Sequence, residues 1–483
     1  MLDTPAQGLT SPTDNVFARL PGDFYTKMPA EAVGRIPRLV HANPKAAALI
    51  GLDPNHFSDL AFTQIFSGQL PFPDGEPLAM VYSGHQFGAW AGQLGDGRAL
   101  LLAQLRNPAN ELWDIQLKGS GKTPYSRFGD GRAVMRSSIR EYLCSEAMAG
   151  LGIPTTRALA VIATNELVHR ETSEPGAVLT RLARSHIRFG HFEHFHHNQK
   201  PEQVRILADH VIGEYMPQFV GDYAAWFGEI VARTAHLMAH WQAAGFAHGV
   251  MNTDNMSILG LTLDYGPFGF LDAYEPGFIC NHSDETGRYA FDMQPAIAHW
   301  NLRALALALS SLIPTENLVA ELDTYESRFR TRYRELVRAK VGLARADQGR
   351  ADDKLIAELL TLMVKARADY TLTFRGLANP GEAWLTLFAP VQAEATVWLD
   401  KYRNRMMSEG EVAPSMNAVN PKYVLRNWLA ETAIRAVEDK ADTAPLDRIL
   451  RLLQSPYDEH PGEDAFAQPP TPEYCGISVS CSS

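Results

Sequence analysis

The chain has few cysteines and no excess of positive charge. Only four of its 483 residues are cysteine, too few for a disulfide framework, and their spacing matches no zinc site. Lys and Arg total 44 against 55 for Asp and Glu, so the formal net charge is −11. Proteins that bind the phosphate backbone of nucleic acids usually carry a basic face, so this balance argues against nucleic acid as a partner.

Long hydrophobic runs are also missing. The longest apolar helix-like stretch, residues 302–313, contains Arg303 and is far shorter than the roughly 20 residues that span a membrane. The N-terminus carries Asp3 and Asp14 and no basic segment followed by an apolar one, so no secretory signal is predicted. We therefore expect a cytoplasmic protein with no membrane partner. Its 46% hydrophobic content is enough to bury a large core.

A short polar stretch, residues 248–255, follows a long amphipathic segment and reads His-Gly-Val-Met-Asn-Thr-Asp-Asn. Kinases place H-R-D-x-x-x-x-N at such a point, and related phosphotransferases H-G-D-x-x-x-x-N, with the Asp as proton acceptor and the Asn as metal ligand. Val250 stands at the Asp position and can do neither. A carboxylate is present at Asp254 beside Asn255, and Asp264 begins an Asp-Tyr-Gly segment that has the form of a D-F-G motif. The sequence keeps the predicted metal ligands and loses the usual base.

The residues before this loop follow the order of parts in a kinase. Dense glycines at residues 92–97 precede a predicted strand, which suits a loop whose backbone approaches a ligand closely. Lys118 ends a second predicted strand and Glu141 lies on a predicted helix, as in the ion pair that holds nucleotide phosphates. Arg181 and Arg188 could hold phosphate or belong to a basic surface. Each feature alone fits a turn or a solvated charge, but their order favours function.

A histidine-rich segment spans residues 191–197. Its imidazoles could bind a metal, but interleaved phenylalanines and the lack of a nearby carboxylate-rich or cysteine set favour a partly packed loop. The histidines are His191, His194, His196 and His197.

The pattern as a whole predicts an α+β protein with four parts. Residues 1–75 are rich in Pro, Asp and Asn and predict an irregular N-terminal extension. Residues 76–200 predict a mainly β lobe with one helix, and residues 201–460 a mainly helical lobe with breaks at Pro314, residues 346–349 and Pro380. Residues 461–483 have little apolar content and predict a tail that is flexible unless other contacts hold it. This is the arrangement of a two-lobed, protein-kinase-like fold.

Seven motifs together resemble the selenoprotein O family, a kinase-like fold that transfers nucleotides to proteins. The resemblance covers most of the chain. Eukaryotic members end in selenocysteine followed by two serines, whereas this chain ends Cys481-Ser482-Ser483, as in bacterial relatives. The motifs are Asp14-Asn15-x-Phe17-x-Arg19-Leu20-Pro21, Ser83-Gly84-His85-Gln86-Phe87-Gly88, Gln116-Leu117-Lys118-Gly119-Ser120-Gly121, Gly129-Asp130-Gly131-Arg132, Asn252-Thr253-Asp254-Asn255, Asp264-Tyr265-Gly266-Pro267-Phe268 and Asn420-Pro421-x-Tyr423-x-x-Arg426-Asn427.

The resemblance implies a reaction and a set of site residues. ATP is expected to bind inverted relative to kinases, so that AMP, or UMP from UTP, moves to Ser, Thr or Tyr hydroxyls of protein substrates and pyrophosphate leaves. Asp254 is the expected proton acceptor, and Asn255 and Asp264 the expected ligands of Mg²⁺ or Mn²⁺. The expected nucleotide-binding residues are Gly95, Gly97, Arg98, Lys118, Asp130, Gly131, Glu141, Arg181, Arg188 and Asp264.

Two further functions and a redox role stay open at this point. Spacing alone permits an ordinary phosphotransferase with Asp254 as a displaced base, or a nucleotide-binding pseudokinase scaffold. The resemblance places the family's redox-active residue at Cys481, which leads to the hypothesis of a disulfide with Cys280, and Cys475 is the alternative partner in the tail. Otherwise Cys280 is a small buried residue and Cys481 an unpaired tail thiol.

Overall fold

In the computed structural model of the protein, the described residues are 11–34, 36–343, 348–409, 413–474, 476–477 and 479. The strands are β1 Tyr25–Lys27, β2 Arg38–Ala42, β3 Leu78–Met80, β4 Ser83–Gln86, β5 Ala89–Gln93, β6 Ala99–Arg106, β7 Leu112–Lys118, β8 Ala133–Val134, β9 Arg157–His169, β10 Ser173–Ala183, β11 Phe246–Ala247 and β12 Gly269–Phe270. Eight of them form one antiparallel sheet in the order β1-β3-β6-β7-β10-β9-β2, with β8 on β10. The remaining four make two two-stranded antiparallel sheets, the β4-β5 hairpin and the pair formed by β11 and β12.

The helices lie mostly in the second half of the chain. They are α1 Pro44–Leu49, α2 Leu60–Phe66, α3 Met135–Gly150, α4 Phe189–His197, α5 Pro201–Tyr215, α6 Tyr223–Ala244, α7 Gln294–Ala308, α8 Thr315–Asp323, α9 Tyr325–Lys340, α10 Arg350–Ala366, α11 Tyr370–Gly376, α12 Glu382–Thr386, α13 Gln392–Met406, α14 Ala413–Asn417, α15 Asn427–Lys440 and α16 Ala444–Leu453. The protein is therefore a mixed α/β protein with an antiparallel sheet and helical regions. Across the described residues, no helix has both the length and the apolar content that a membrane span requires.

Alternating side chains build the centre of the sheet. In β7, Trp113, Ile115 and Leu117 point into one hydrophobic core. On the other face, α3 packs on β9 and β10 and buries Ile139 and Leu143, as its apolar stripe predicts. This confirms the predicted strands and helix, and it brings the end of β7 close to α3.

The N-terminal part of the chain is more regular than its composition predicts. β1 pairs with β3 and β2 pairs with β9, so the two strands occupy opposite edges of the large sheet. The prediction of an irregular extension is therefore wrong for β1, β2 and the short helices α1 and α2. Proline and asparagine mark the boundaries between short apolar pieces, and these pieces become strands because a sheet edge offers unpaired backbone groups.

Helix ends coincide with strong local signals in the sequence. α6 begins after Asp222, whose carboxylate accepts from the Ala225 amide at 2.9 Å, and ends at Gly245, which has φ 69°. The predicted breaks are also found, since Pro314 precedes α8 and Pro380 lies between α11 and α12. Residues 344–347, within the break before α10, lie outside the described residues.

Part of the C-terminal tail is held against the helical region. Residues 464–467 and 472–474 form short 3-10 helices, and Trp428 contacts Phe466 and Tyr474 with ring centroids 6.3 Å apart in both pairs. Near the end of the chain, the carbonyl of Val479 accepts a hydrogen bond from the amide of His282 at 3.2 Å. Cys475 and Cys481 lie outside the described residues.

Candidate active site

A cavity of about 730 Å³ opens beside β6 and β7, and the loops before α3 and after α6 complete its wall. All the predicted nucleotide and metal residues line it except Glu141, which lies behind Lys118. The structure therefore brings together residues from distant parts of the chain. Those that line the cavity are Gly95, Gly97, Arg98, Lys118, Asp130, Gly131, Arg181, Arg188, Asp254, Asn255 and Asp264.

The glycine loop has no room for side chains. Gly95 has φ 133°, and a Cβ placed there would lie 2.6 Å from the ring of Tyr125. A Cβ on Gly97 would lie 2.9 Å from the Tyr125 carbonyl oxygen. The Thr123 hydroxyl donates to the carbonyl of Asp96 at 2.7 Å. This bond holds the loop that carries Thr123 and Tyr125 against the glycine loop. Glycine at these positions lets two loops pack together along one wall of the cavity.

A buried network of charges forms the opposite wall. The Lys118 ammonium pairs with one Glu141 carboxylate oxygen, and the Arg181 guanidinium donates to the other at 3.1 Å. Arg181 also donates to Asp264 and to the side-chain carbonyl of Gln116. Burial lowers the pKa of Lys118, and the Glu141 charge partly restores it. Because these groups are paired with one another, removing any one leaves a buried charge without its partner.

Asp264 lies at the centre of this network. Its φ of 56° is unusual for a residue with a side chain, so the surrounding contacts hold its backbone in place. Arg181 donates to one carboxylate oxygen and Arg188 to the other, while Arg188 also donates to the Asp254 carbonyl at 2.7 Å. Burial alone would raise the pKa of Asp264, but Arg188, Arg181 and Lys118 together hold that pKa well below its usual range.

The loop after α6 is held by a buried histidine. The His248 ring stacks on Trp241 with centroids 5.2 Å apart, and its Nε2 donates to the carbonyl of Leu263 at 2.8 Å. Its Nδ1 accepts from the amide of Val250 at 3.3 Å. The Asn255 side-chain nitrogen donates to the Val250 carbonyl at 3.0 Å, so the amide oxygen of Asn255 is left for another partner.

Asp254 has a different environment, although it lines the same cavity. One carboxylate oxygen accepts from the Gln86 side-chain amide at 3.3 Å. The other is buried and has no hydrogen-bond partner among the described residues. Burial raises the pKa of Asp254 to about 6, against the opposing charge of Arg188. Near neutral pH this carboxylate is ionised and has the basicity of a general base.

Asp130 and Gly131 lie at the edge of the cavity. Asp130 accepts two hydrogen bonds from the Arg170 guanidinium, at 2.8 and 3.1 Å, and this pairing lowers the pKa of Asp130. The carboxylate therefore positions Arg170, which itself lines the cavity. Gly131 has φ 72°, and a Cβ there would lie 2.1 Å from the carbonyl oxygen of Gly121.

Several lining residues have no place in the sequence prediction. Asp96 is buried between two loop glycines, accepts from the Met80 amide at 3.1 Å, and has a pKa raised by burial to about 6. Its position within Gly-Asp-Gly is a signal that could have identified it. Asn252 accepts from the Tyr289 hydroxyl at 2.6 Å, and Arg170 joins the wall through Asp130. Asn252 belongs to the motif Asn252-Thr253-Asp254-Asn255, which could have identified it, whereas Arg170 carries no sequence signal because only the folded chain brings it to the cavity.

Of the predicted redox pair, the structure describes one member. Cys280 is buried, and its Sγ lies 3.5 Å from the carbonyl oxygen of Ala247. A Cβ on Gly249 would lie 2.6 Å from this sulfur, so Cys280 packs directly behind the loop that carries Asp254. Cys481, its predicted partner, lies outside the described residues, and the pairing stays a prediction.

Comparison with known proteins agrees with the motifs. A family model described as Protein adenylyltransferase SelO matches residues 9–454. A protein from Bordetella avium called Protein nucleotidyltransferase YdiU is 52% identical over 485 residues, which cover 97% of this chain and 98% of that protein. Proteins of the same name from Myxococcus xanthus and Yersinia pseudotuberculosis are each 49% identical, over 97% of this chain and over 98% and 99% of their own lengths.

The family match spans nearly the whole chain, and it includes every residue that lines the cavity. The resemblance inferred from the motifs is confirmed. The chain belongs to the protein adenylyltransferase SelO family.

Proposed function

We propose that this protein nucleotidyltransferase uses the cavity to move AMP from ATP, or UMP from UTP, to a Ser, Thr or Tyr hydroxyl of a protein substrate. The observation that carries the proposal is the meeting of a complete phosphate-facing charge network with Asp254, while Val250 occupies the position of the kinase base. We further propose a kinase-like, two-lobed arrangement in which the sheet with α3 borders one side of the cavity and the helical region the other. The cytoplasmic location stays a prediction.

In the proposed reaction, Asp254 accepts the proton of the acceptor hydroxyl. The hydroxyl oxygen forms a bond to the α-phosphorus, the bond from that phosphorus to the bridging oxygen breaks, and pyrophosphate leaves with the bonding electrons. The unpartnered carboxylate oxygen of Asp254 supports this role, since it has no competing hydrogen bond among the described residues. Its pKa of about 6 favours proton transfer near neutral pH.

The cationic side chains are proposed to hold the phosphates. Arg181 and Arg188 are fully buried at the cavity wall, and guanidinium groups bind phosphate oxygens through paired hydrogen bonds. Arg98 lines the same cavity and forms no ion pair with any described residue, so its charge is available to an anionic ligand. Lys118 is oriented by Glu141. In this scheme the phosphates would share the arginines with Asp264.

Asn255 and Asp264 are proposed to hold Mg²⁺ or Mn²⁺. Oxygen donors suit these ions, and the Asn255 amide oxygen accepts no hydrogen bond from any described residue, while its nitrogen donates to the Val250 carbonyl. Each carboxylate oxygen of Asp264 accepts one arginine hydrogen bond and has a second lone pair. When bound, the ion spreads the negative charge of the phosphates.

Labelled nucleotide tests the reaction directly. A protein substrate is incubated with ATP that carries the label on either the α- or the γ-phosphate. We expect label on protein from the α position only. Transfer from the γ position would support an ordinary phosphotransferase instead, and nucleotide binding with no transfer from either position would support a pseudokinase scaffold.

We also propose a disulfide between Cys280 and Cys481 under oxidising conditions. The position of Val479, two residues before Cys481, supports it, because its carbonyl accepts from the amide of His282, two residues after Cys280. The bond would be regulatory rather than structural, since a reducing cytoplasm keeps thiols reduced. Peptide mapping by mass spectrometry without reductant tests it. Recovery of Cys280 only as a free thiol after oxidation, or its pairing with Cys475, would remove this bond from the account.

A further inference from the structure

Three potential metal ligands meet outside the cavity, on the far side of the loop that carries Asp254. His85 lies on β4, and Glu193 and His197 lie four residues apart on α4. One ligand atom from each side chain lies within 4.8 Å of the other two. Residues i and i+4 share one face of a helix, so α4 presents both of its ligands to β4. The proposed nucleotide transfer uses none of the three.

Glu193 is the buried member of this group, with 1% of its surface exposed. One carboxylate oxygen lies 2.5 Å from His85 Nδ1. The other is buried and has no hydrogen bond of normal geometry among the described residues, although the nearby Thr253 hydroxyl interacts with this carboxylate. A buried carboxylate oxygen without a well-formed hydrogen bond is costly, because it has lost its water. A cation beside His85 would give that oxygen a stronger partner.

His197 completes the group from the protein surface. Its ring lies on Trp90 with centroids 3.8 Å apart, and Trp90 and Trp300 flank the His85 ring at 5.1 and 5.3 Å. The two tryptophan rings contact the His85 side of the group, while His197 stays exposed to solvent. Burial lowers the pKa of His197, and the nearby His196 and His85 lower it further. Neutral imidazole is the form that binds metal ions.

The histidine-rich segment is therefore divided by the fold. It forms the helix α4 rather than the partly packed loop that the sequence predicts, because its phenylalanines face the core every three residues. His191 and His194 turn inward and are buried, whereas His197 reaches His85 and Glu193. Burial in the core accounts for His191 and His194, whereas His197 lies beside β4, where it can act as a metal ligand.

We propose that His85, Glu193 and His197 form a second metal site, distinct from the Asn255 and Asp264 pair, that binds a transition-metal cation of the Zn²⁺ class. Two imidazole nitrogens and one carboxylate suit Zn²⁺, Co²⁺ or Ni²⁺, whereas Mg²⁺ and Ca²⁺ prefer oxygen ligands alone. The ion takes the place of the hydrogen bond between His85 and Glu193. A water molecule fills the position on the open side, as at three-ligand zinc sites.

The proposed metal site contacts the loop that carries Asp254. The backbone amide of His85 donates to the Thr253 hydroxyl at 2.7 Å. A Cβ on Gly84, the residue before His85, would lie 2.9 Å from a carboxylate oxygen of Asp254. An ion that ties β4 to α4 would therefore stabilise the segment against which Asp254 packs. Its expected effect is to hold the loop, not to take part in the reaction.

Metal titration of the whole chain tests the proposal. Protein freed of metal by a chelator is titrated with Co²⁺, and the visible absorption of the bound ion is recorded. Cys475 and Cys481 are first replaced by serine, so that tail thiols cannot bind the probe. We expect one equivalent of Co²⁺ with an intense visible band and no near-ultraviolet thiolate band, and competition with Zn²⁺ should remove the signal.

His197→Ala is the decisive variant, because His197 is exposed and its loss leaves the core intact. We expect Zn²⁺ affinity, measured by competition with a chromophoric chelator, to fall at least about 100-fold, since even changes around metal ligands cost 10- to 100-fold. His196→Ala is the matched control on the same helix and should bind as the parent does. Asp264→Asn should also keep this site, which separates it from the proposed nucleotide metal.

Equal affinity in the parent and in His197→Ala would overturn the proposal, as would no uptake of Co²⁺ or Zn²⁺ by the parent. In either case the His85–Glu193 pair would serve only as a hydrogen bond that orients β4. Because the readout is metal binding, its outcome does not depend on whether nucleotide transfer is confirmed.

Discussion

Two aspartates of the cavity, ten residues apart in sequence, have opposite electrostatic surroundings. Asp264 is held between Arg181 and Arg188, and its pKa lies well below the usual range. Asp254 accepts one long hydrogen bond from Gln86, and its pKa is raised to about 6. Burial raises the pKa of both carboxylates, so burial alone does not account for the opposite directions of their shifts. The two carboxylates differ in the number of cations in direct contact with them, and this number sets the direction of each pKa shift.

This difference gives the two carboxylates different tasks. A carboxylate that stays ionised can hold a metal ion beside the phosphates, while a carboxylate with a pKa near neutrality can accept and release a proton. Substitutions or pH changes that remove this contrast between Asp254 and Asp264 should alter transfer, binding and stability to different extents.

Asp264→Ala should have the largest effect. It removes a proposed metal ligand and leaves two buried arginines without their shared partner, so we expect loss of transfer activity and a free energy of unfolding lower by roughly 3–5 kcal/mol. Transfer from α-labelled ATP and denaturant unfolding measure the two effects. Asp264→Asn is the control, since it keeps the shape. A stable Asp264→Ala variant with full activity would contradict both assignments.

Asp254→Ala should lower turnover by a factor of ~10²–10⁴, the usual contribution of a general base. Nucleotide affinity should change much less than in Asp264→Ala, because Asp254 has no ion pair with the arginines through its carboxylate. Calorimetry with ATP and the labelling rate together separate binding from chemistry. Unchanged turnover would show that transfer relies on positioning and the metal alone.

Arg181→Ala and Arg188→Ala should each weaken ATP binding by about 10- to 100-fold, the value of one charge-assisted hydrogen bond. Adenosine, which has no phosphates, should lose little affinity. Arg184, which lies between them and pairs with Glu111 outside the cavity, supplies the control variant Arg184→Ala. Calorimetry with both ligands decides it, and equal losses for ATP and adenosine would mean that the arginines only support the fold.

The smallest effect is expected from pH. Because the pKa of Asp254 is raised to about 6, its ionised, proton-accepting form is lost as the pH falls through 6. Turnover at pH 5 should therefore be about tenfold lower than at pH 7, where it should reach a plateau. Asp264 stays ionised over this range, so nucleotide binding should hold. A rate profile without an inflection near pH 6 would argue against Asp254 as the base.

Local signals in the sequence identified much of the fold and the parts of the site. The helical spacing of Trp226, Ile230 and Trp241 and the stop at Gly245 predict α6, because both signals act between residues a few positions apart. The loop with Val250, Asp254 and Asn255 was found from its spacing alone. Such features depend on neighbours along the chain, and a single sequence displays them directly.

Tertiary structure decided the pairings. β1 and β2 become strands because the sheet has edges for them, and Arg170 is held at the cavity by Asp130 and by the carbonyl of Arg132. The pKa of Asp254 and the meeting of His85 with His197 likewise depend on contacts across long stretches of chain. The sequence by itself determined which chemical groups are present, in what order and on which kind of element. Which groups are buried, and which charges face one another, was settled by folding, because dielectric environment and distance are properties of the packed chain.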